Sequence, residues 1–371
     1  MFKNLLKNTD YLVLICVLIL FIIGVIGIYS AGYATDVNKD EYVKQIIWFG
    51  ASFVLMVIIW ALDYRVFDIA GYVIYIISTI LLVAVLFMPS LMGAKSWFNL
   101  GGMLYQPSEL MKIGYIICSA KFISIYRNTT KNDKRKKVLI GIMLFLLFII
   151  PVGLIMLQPD FGTAVVFFFI AAFMIFKAGI KYRYIFLALL LILIMIPLVY
   201  YFVLNPTQQE RIKVFLDPEL DPLGSGYNAI QSKMAVGSGM LFGTGLLKGA
   251  QTQYGYLPIK SSDFIFSVIS EELGFVFSVA IVVLYAILIL RLIRISKNAR
   301  DDFSAFMVIG IAGMFSFHFI QNIGMTIGLL PITGVPLPFV SYGGSNMVTN
   351  CIAIAIALNI SARKSKSMFM D

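Results

Sequence analysis

Asp263 stands where a polar stretch meets the apolar run Phe264–Ile265–Phe266, and Glu271 and Glu272 follow one or two helical turns later. A carboxylate there has low-dielectric surroundings on one side, which suits it to accept a proton. The same place suits a helix N-cap, because Ser261, Ser262 and Asp263 are all good caps. On residue types alone, capping is the simpler reading. Glu271 and Glu272 fit an interior polar site and an interfacial cap equally well. Glu109 and Lys112 are three apart, which puts them on one helical face where they can pair. A charge at mid-bilayer costs about 2.5–3.5 kcal/mol even on the gentler scales, so such ions face the protein interior or a wet cavity. The pair either lines a polar substrate cavity or only aims its helix. His318 is the single histidine, too few ligands for zinc. Near Gln321 and Asn322, it suits a hydrogen bond between helices. Trp97 fits an interfacial belt or a platform for a sugar ring. Cys16, Cys118 and Cys351 are far apart, and neither a metal spacing nor a disulfide framework follows from them.

The elements that must position these groups are apolar. Of 371 residues, 60% are hydrophobic and 13% charged, where a soluble domain has roughly a quarter charged. Runs of about twenty apolar residues are long enough to cross about 30 Å of hydrocarbon. About ten spans are expected, near 11–30, 45–62, 69–88, 107–126, 138–157, 162–177, 185–204, 265–290, 303–324 and 346–361. The fold class is therefore all-α, one polytopic transmembrane domain over residues 1–371. The first run follows two lysines and precedes Ser30–Ala31–Gly32, as a signal peptide would, but its length favours an uncleaved helix.

With the N-terminus inside, the inner loops hold about 20 Lys and Arg against 8 in the outer loops. Cytoplasmic loops retain such residues, so an N-in, C-in orientation is expected. The net charge of +10 is then mostly a topology signal, and no nucleic-acid partner is expected. The basic run Lys131–Lys137 can also touch anionic membrane lipid. One outer loop, about 205–264, is long enough to expect a function. It carries Arg211, Asp217, Glu219, Asp221, Lys233, Lys248, Lys260 and Asp263, with glycines from Gly237 to Gly245 that suit tight turns and close backbone approach. Two further outer stretches lie near 89–106 and 325–345, the first containing Lys95 and Trp97.

Read together, the motifs resemble the SEDS family (shape, elongation, division and sporulation) of bacterial envelope proteins. The resemblance spans nearly the whole chain. It rests on Gly93–Ala94–Lys95–Ser96–Trp97, Gln106–Pro107–Ser108–Glu109 and Leu157–Gln158–Pro159–Asp160–Phe161–Gly162–Thr163. It continues through Asp217–Pro218, the run from Asp221 to Tyr227, Gln231–Ser232–Lys233 and Gly249–Ala250–Gln251–Thr252–Gln253. It ends on Asp263–Phe264–Ile265–Phe266 and on Gly334–Val335–Pro336–Leu337–Pro338 through Ser341–Tyr342–Gly343–Gly344–Ser345. The Gln-Ser-Lys and Gln-Thr-Gln elements are most like the elongation branch, RodA, rather than the division (FtsW) or spore-cortex branches. Many members place His-Thr before the aspartate; here Lys260–Ser261–Ser262 come first. The basic pair usual before the tryptophan is reduced to Lys95–Ser96.

The resemblance implies a peptidoglycan glycosyltransferase that polymerises lipid II on the outer face of the cytoplasmic membrane. It also implies a class B penicillin-binding protein as partner. It makes Asp263 the expected general base toward an acceptor sugar 4-hydroxyl, with inversion at the anomeric carbon and polyprenyl pyrophosphate leaving. Lys95, Lys233, Lys248, Lys260 and Arg211 are the outer cations available to that pyrophosphate, and Trp97, Glu109, Lys112 and Ser341 are expected substrate contacts. A divalent cation, Mg or Mn, can share that charge, with Asp263 a possible ligand. A lipid II flippase and a non-catalytic division scaffold are the rival readings. A flippase needs polar residues reachable from both faces, and the inner loops offer little beyond topology charges.

Overall fold

The computed structural model describes residues 2–33, 39–90, 94–101, 103–130, 133–179, 201–202, 206–221 and 224–363. Most of the expected seventh span, near 185–204, lies outside them. The first helices are α1 (Phe2–Asn8), α2 (Tyr11–Tyr33), α3 (Glu41–Ala61) and α4 (Phe67–Val85). A two-stranded antiparallel hairpin, β1 (Phe98–Leu100) and β2 (Met103–Tyr105), precedes α5 (Pro107–Asn128), α6 (Lys134–Leu157) and α7 (Phe161–Lys177). Then come α8 (Pro206–Leu216), α9 (Ser225–Ser238), α10 (Ala250–Gln253), α11 (Ile265–Lys297), α12 (Asp302–Thr326) and α13 (Gly344–Ala362).

Among the described residues, seven helices are long and apolar enough to cross a membrane: α2, α3, α4 with its leading 3-10 turn, α6, α11, α12 and α13. They are apolar on their outer faces as well. Along α2, Tyr11, Ile15, Ile19, Ile22, Ile26, Tyr29 and Tyr33 form an exposed stripe, while Val13, Val17, Leu20, Gly24 and Gly27 face inward. A helix apolar all round belongs in lipid or in a large core. The chain is a multi-pass membrane protein. α12 and α13 are mostly buried, and α3, α4 and α6 form the rim. α5 carries Glu109, Lys112, Lys121 and Arg127, too many charges for a lipid-facing span. It is instead surrounded, packing against α4, α6, α7, α12 and α13. α7, the expected sixth span, is apolar but has only 17 residues.

The bundle has two chemically different ends. At one, ionic and capping contacts tie helix termini together: Lys121 to Asp68, Arg127 to Asp302 at 3.0 Å and Tyr64 to Asp301. Asn359 Nδ2 donates to the carbonyls of Ile59, Trp60 and Leu62, satisfying acceptors that the end of α3 leaves free. Ser361 Oγ donates to Asn8 O at 3.4 Å, so the first and last described helices meet at this end. The opposite end gathers the starts of α3, α5, α7, α11 and α13, and there the candidate residues lie.

The segment 206–253 is largely helical, and its glycine-rich part has a defined partner. α11 breaks at Gly274, whose φ of 82° and ψ of −173° are open essentially to glycine alone. Interrupting a helix frees backbone groups, and residues 240–245 take them up. Thr244 N and Gly245 N donate to the carbonyls of Glu271 and Glu272 at 2.9 and 3.1 Å. Phe275 N and Val276 N donate to those of Met240 and Leu241 at 2.8 and 3.2 Å. A Cβ on Gly243 would lie 2.0 Å from Glu272 O, so the backbones could not approach with a side chain present.

Candidate functional site

Asp263 is half-buried in the turn that leads into α11. The N-cap of α11 falls on Phe264, so the capping reading of Asp263 is corrected by one residue. Ser262 Oγ donates to Asp263 Oδ1 at 3.3 Å. The segment between α12 and α13 passes alongside, and a Cβ on Gly334 would be 3.3 Å from Asp263 Oδ2. Asn322 of α12 holds both segments together, its Nδ2 donating to Asp263 O at 3.0 Å and to Val335 O at 2.8 Å.

Ser341, expected to touch substrate, is 1% exposed and ties backbones together. Its Oγ donates to Ser262 O at 2.6 Å and accepts from Leu337 N at 2.8 Å. Gln45 Nε2 donates to Ser341 O at 3.0 Å, and Tyr342 N donates to Ser261 O at 2.9 Å.

Glu109 and Lys112 do pair, at 2.9 Å, and both are nearly fully buried. Lys112 Nζ also lies 3.1 Å from His318 Nε2, and His318 Nδ1 lies 3.0 Å from Pro336 O. The histidine therefore makes the expected bond between helices, from α12 to α5, although its partner is not a sequence neighbour. Beside the pair, Asp160 caps α7, accepting from Thr163 N at 3.1 Å and from Gln106 Nε2 at 2.9 Å. The Gln-Pro-Ser-Glu and Gln-Pro-Asp motifs thus meet through their first and last polar residues.

Glu271 and Glu272 form an interior polar site rather than an interfacial cap. Glu271 accepts from Gln251 N, Thr252 N and Thr252 Oγ1 at 2.8, 3.0 and 2.6 Å. Glu272 accepts from Leu247 N at 3.1 Å, from Gln253 Nε2 at 2.8 Å and from Ser30 Oγ. Lys260 completes this network: 6% exposed, it donates through Nζ to Thr252 O at 2.8 Å. Burial pulls its ammonium below the ordinary lysine value, against the opposing pull of the Glu272 and Glu41 carboxylates.

The other expected cations are placed differently. Lys95 is exposed, its backbone N donating to Gln158 O at 3.3 Å, and Trp97 nearby is half-buried. Lys248 is exposed beside Gly245. Lys233 is exposed at the mouth of a cleft lined by Val214, Phe215, Met325, Leu330 and Ile332. Arg211 lies on α8, with its side chain outside the described residues. No three or more His, Cys, Asp or Glu come together as a metal cage among the described residues. The three cysteines are buried and free. Sequence reasoning passed over Asn322, Gln45 and Gln106 as organisers. Their signal was that buried amides must find partners, and the adjoining loops supply them.

Comparison with known proteins places this arrangement. The peptidoglycan glycosyltransferase MrdB of Escherichia coli K12 is 37% identical, covering 95% of this chain and 93% of its own. A solved structure described as a peptidoglycan synthase complex coordinating polymerization and crosslinking superposes with a TM-score of 0.78 at 27% identity, over 95% of this chain and 97% of that one. The rod shape determining protein RodA of Thermus thermophilus gives 0.71 at 26%, over 97% and 98%. The fold is that of RodA. The model of the FtsW, RodA and SpoVE cell cycle proteins matches residues 10–366, and the chain belongs to that family.

Proposed function

We propose that this chain is a peptidoglycan glycosyltransferase of the bacterial cytoplasmic membrane that polymerises lipid II during cell elongation. The observation that carries the reading is the setting of Asp263: a half-buried carboxylate at the start of a membrane helix, with the backbone of Gly334 alongside. In this reading the chain is one domain with ten spans, both termini cytoplasmic, and the segment 205–264 outside. The meeting of the first and last described helices at the ionic end supports termini on one side.

Asp263 takes the proton of the acceptor sugar 4-hydroxyl, a contribution of about 10²–10⁴ in rate. The oxygen attacks the anomeric carbon from the face opposite the polyprenyl pyrophosphate, so the centre inverts as that bond breaks. Of the outer cations expected to meet the departing charge, Lys95, Lys233 and Lys248 are exposed. Lys260, already donating to Thr252 O, instead holds residues 250–253 in place. A divalent ion, Mg or Mn, would neutralise further pyrophosphate charge. With Asp263 holding it, the ion's remaining ligands would be phosphate oxygens and water, a common arrangement for Mg.

A class B penicillin-binding protein is the expected partner, and anionic lipid the expected neighbour of the basic stretch at the start of α6. Purified protein with such a partner, given lipid II and resolved on a gel, tests the reading. A ladder of glycan chains supports it. Lipid II that only changes leaflet in a vesicle points to the flippase, and neither outcome points to the scaffold.

A further inference from the structure

Three consecutive residues between α12 and α13 join the two polar clusters. Gly334 faces the Asp263 carboxylate, Val335 O accepts from Asn322, and Pro336 O lies 3.0 Å from His318 Nδ1. Across the ring, His318 Nε2 is 3.1 Å from Lys112 Nζ, and Lys112 meets Glu109 Oε1 at 2.9 Å. An ammonium only donates and a carbonyl only accepts. The imidazole between them must therefore be the uncharged tautomer, with its proton on Nδ1 toward Pro336 and its lone pair on Nε2 toward Lys112. This orientation of a charged group by a ring, and of the ring by a carbonyl, is a recurring way to fix a polar site.

The chain of contacts ends on an oxygen that none of the described residues engages. Glu109 Oε2 is buried and takes no hydrogen bond from the described residues, on a side chain only 5% exposed. A buried acceptor left unmade costs about 1–3 kcal/mol, more when charged.

We propose that His318 is a positioning residue for glycan polymerisation: through Lys112 it aims the second oxygen of Glu109 at a hydroxyl or amide N–H of the lipid-linked sugar. This rests on the glycosyltransferase reading above. Because Pro336 is two residues from Gly334, the same segment sets both the ring that aims Glu109 and the backbone beside Asp263.

Two near-isosteric variants separate the ends of the ring. His318→Gln places an amide oxygen near the former Nε2 and keeps the contact to Lys112; His318→Asn reaches only Pro336. Full-length proteins in nanodiscs, with a class B penicillin-binding protein, are assayed on lipid II after thermal melting verifies folding. The Gln variant should keep kcat within about threefold of wild type. The Asn variant should lose about tenfold or more in kcat, with KM within about twofold, because a misplaced group fails mainly in the transition state. Equal rates in both variants, whether unchanged or equally reduced, overturn the inference. Should the Asn variant not fold, the Gln variant decides alone, and a kcat below about a tenth of wild type overturns it. A wild type that makes no glycan while this partner crosslinks normally overturns the glycosyltransferase reading itself, and this inference with it.

Discussion

His318 and Asn322 lie one turn apart on α12 and reach the carbonyls of adjacent residues, Pro336 and Val335. Residues four apart share a helix face, so one side of α12 holds the strap that runs past Asp263. The same face reaches Asp263 itself, through Asn322 and the Asp263 carbonyl.

Asn322→Leu should therefore loosen the strap and the catalytic turn together. It removes the donor that the two carbonyls share, and the buried Val335 carbonyl alone would cost about 1–3 kcal/mol if left unpaired. We expect a lower melting temperature and a loss of polymerisation exceeding that of a substitution at the exposed Ile320. Equal melting temperatures for the two variants would contradict the clamp.

Breaking the ion pair should be costly in either direction. Glu109→Gln or Lys112→Met leaves a buried group uncompensated, which typically costs about 3–5 kcal/mol. Exchanging the two residues should restore part of the stability and less of the activity, because His318 would then face a carboxylate. Thermal melting and a glycan gel on the four proteins check this. Single variants that match wild type in both would leave the pair without a role.

Gly274→Ala tests the break in α11. Its backbone conformation is closed to alanine, and the new Cβ would lie 2.2 Å from Gly243 N. Strain of this kind costs about 1–3 kcal/mol before the clash is counted. The variant should melt well below wild type and expose residues 240–253 to limited proteolysis. Unchanged protease resistance would show that the break is not held by this packing.

The opposite end offers a pH test. Burial pushes the Asp301 carboxyl up, but hydrogen bonds from Ser304 N, Tyr64 and Ser304 Oγ, with Arg300 nearby, bring it below the usual aspartate value. A depressed folded value means fewer protons bound than in the unfolded chain. Its contribution is thus complete above the unfolded value of about 3.9 and is lost as pH falls through the folded one. Asp301→Asn should flatten the acid limb of melting temperature against pH below about 4. An unchanged acid limb would assign that dependence to other carboxylates.

Much of this was legible in the residues alone. The rim helices announce themselves by apolarity all round, and Glu109 and Lys112 by a spacing that only a helix turns into contact. α5 was legible as a helix despite four charges, because its apolar residues fill the gaps between them. The partners of His318 were not, since Lys112 lies 206 positions away and only the packing of α5 on α12 brings them together. Nor was the role of Glu271 and Glu272, half of whose donors are backbone N–H groups of residues 247–252, and a backbone donor has no residue type. The glycines from Gly237 to Gly245 pointed to close approach without saying to what; the broken helix is the answer.

The most direct measurement is glycan synthesis from lipid II by purified Asp263→Asn beside wild type, each with its crosslinking partner. Asparagine keeps the size of the side chain and cannot take a proton. The account predicts a folded protein with wild-type melting, intact lipid II binding and no glycan ladder. A ladder of wild-type length and rate from that variant would contradict it.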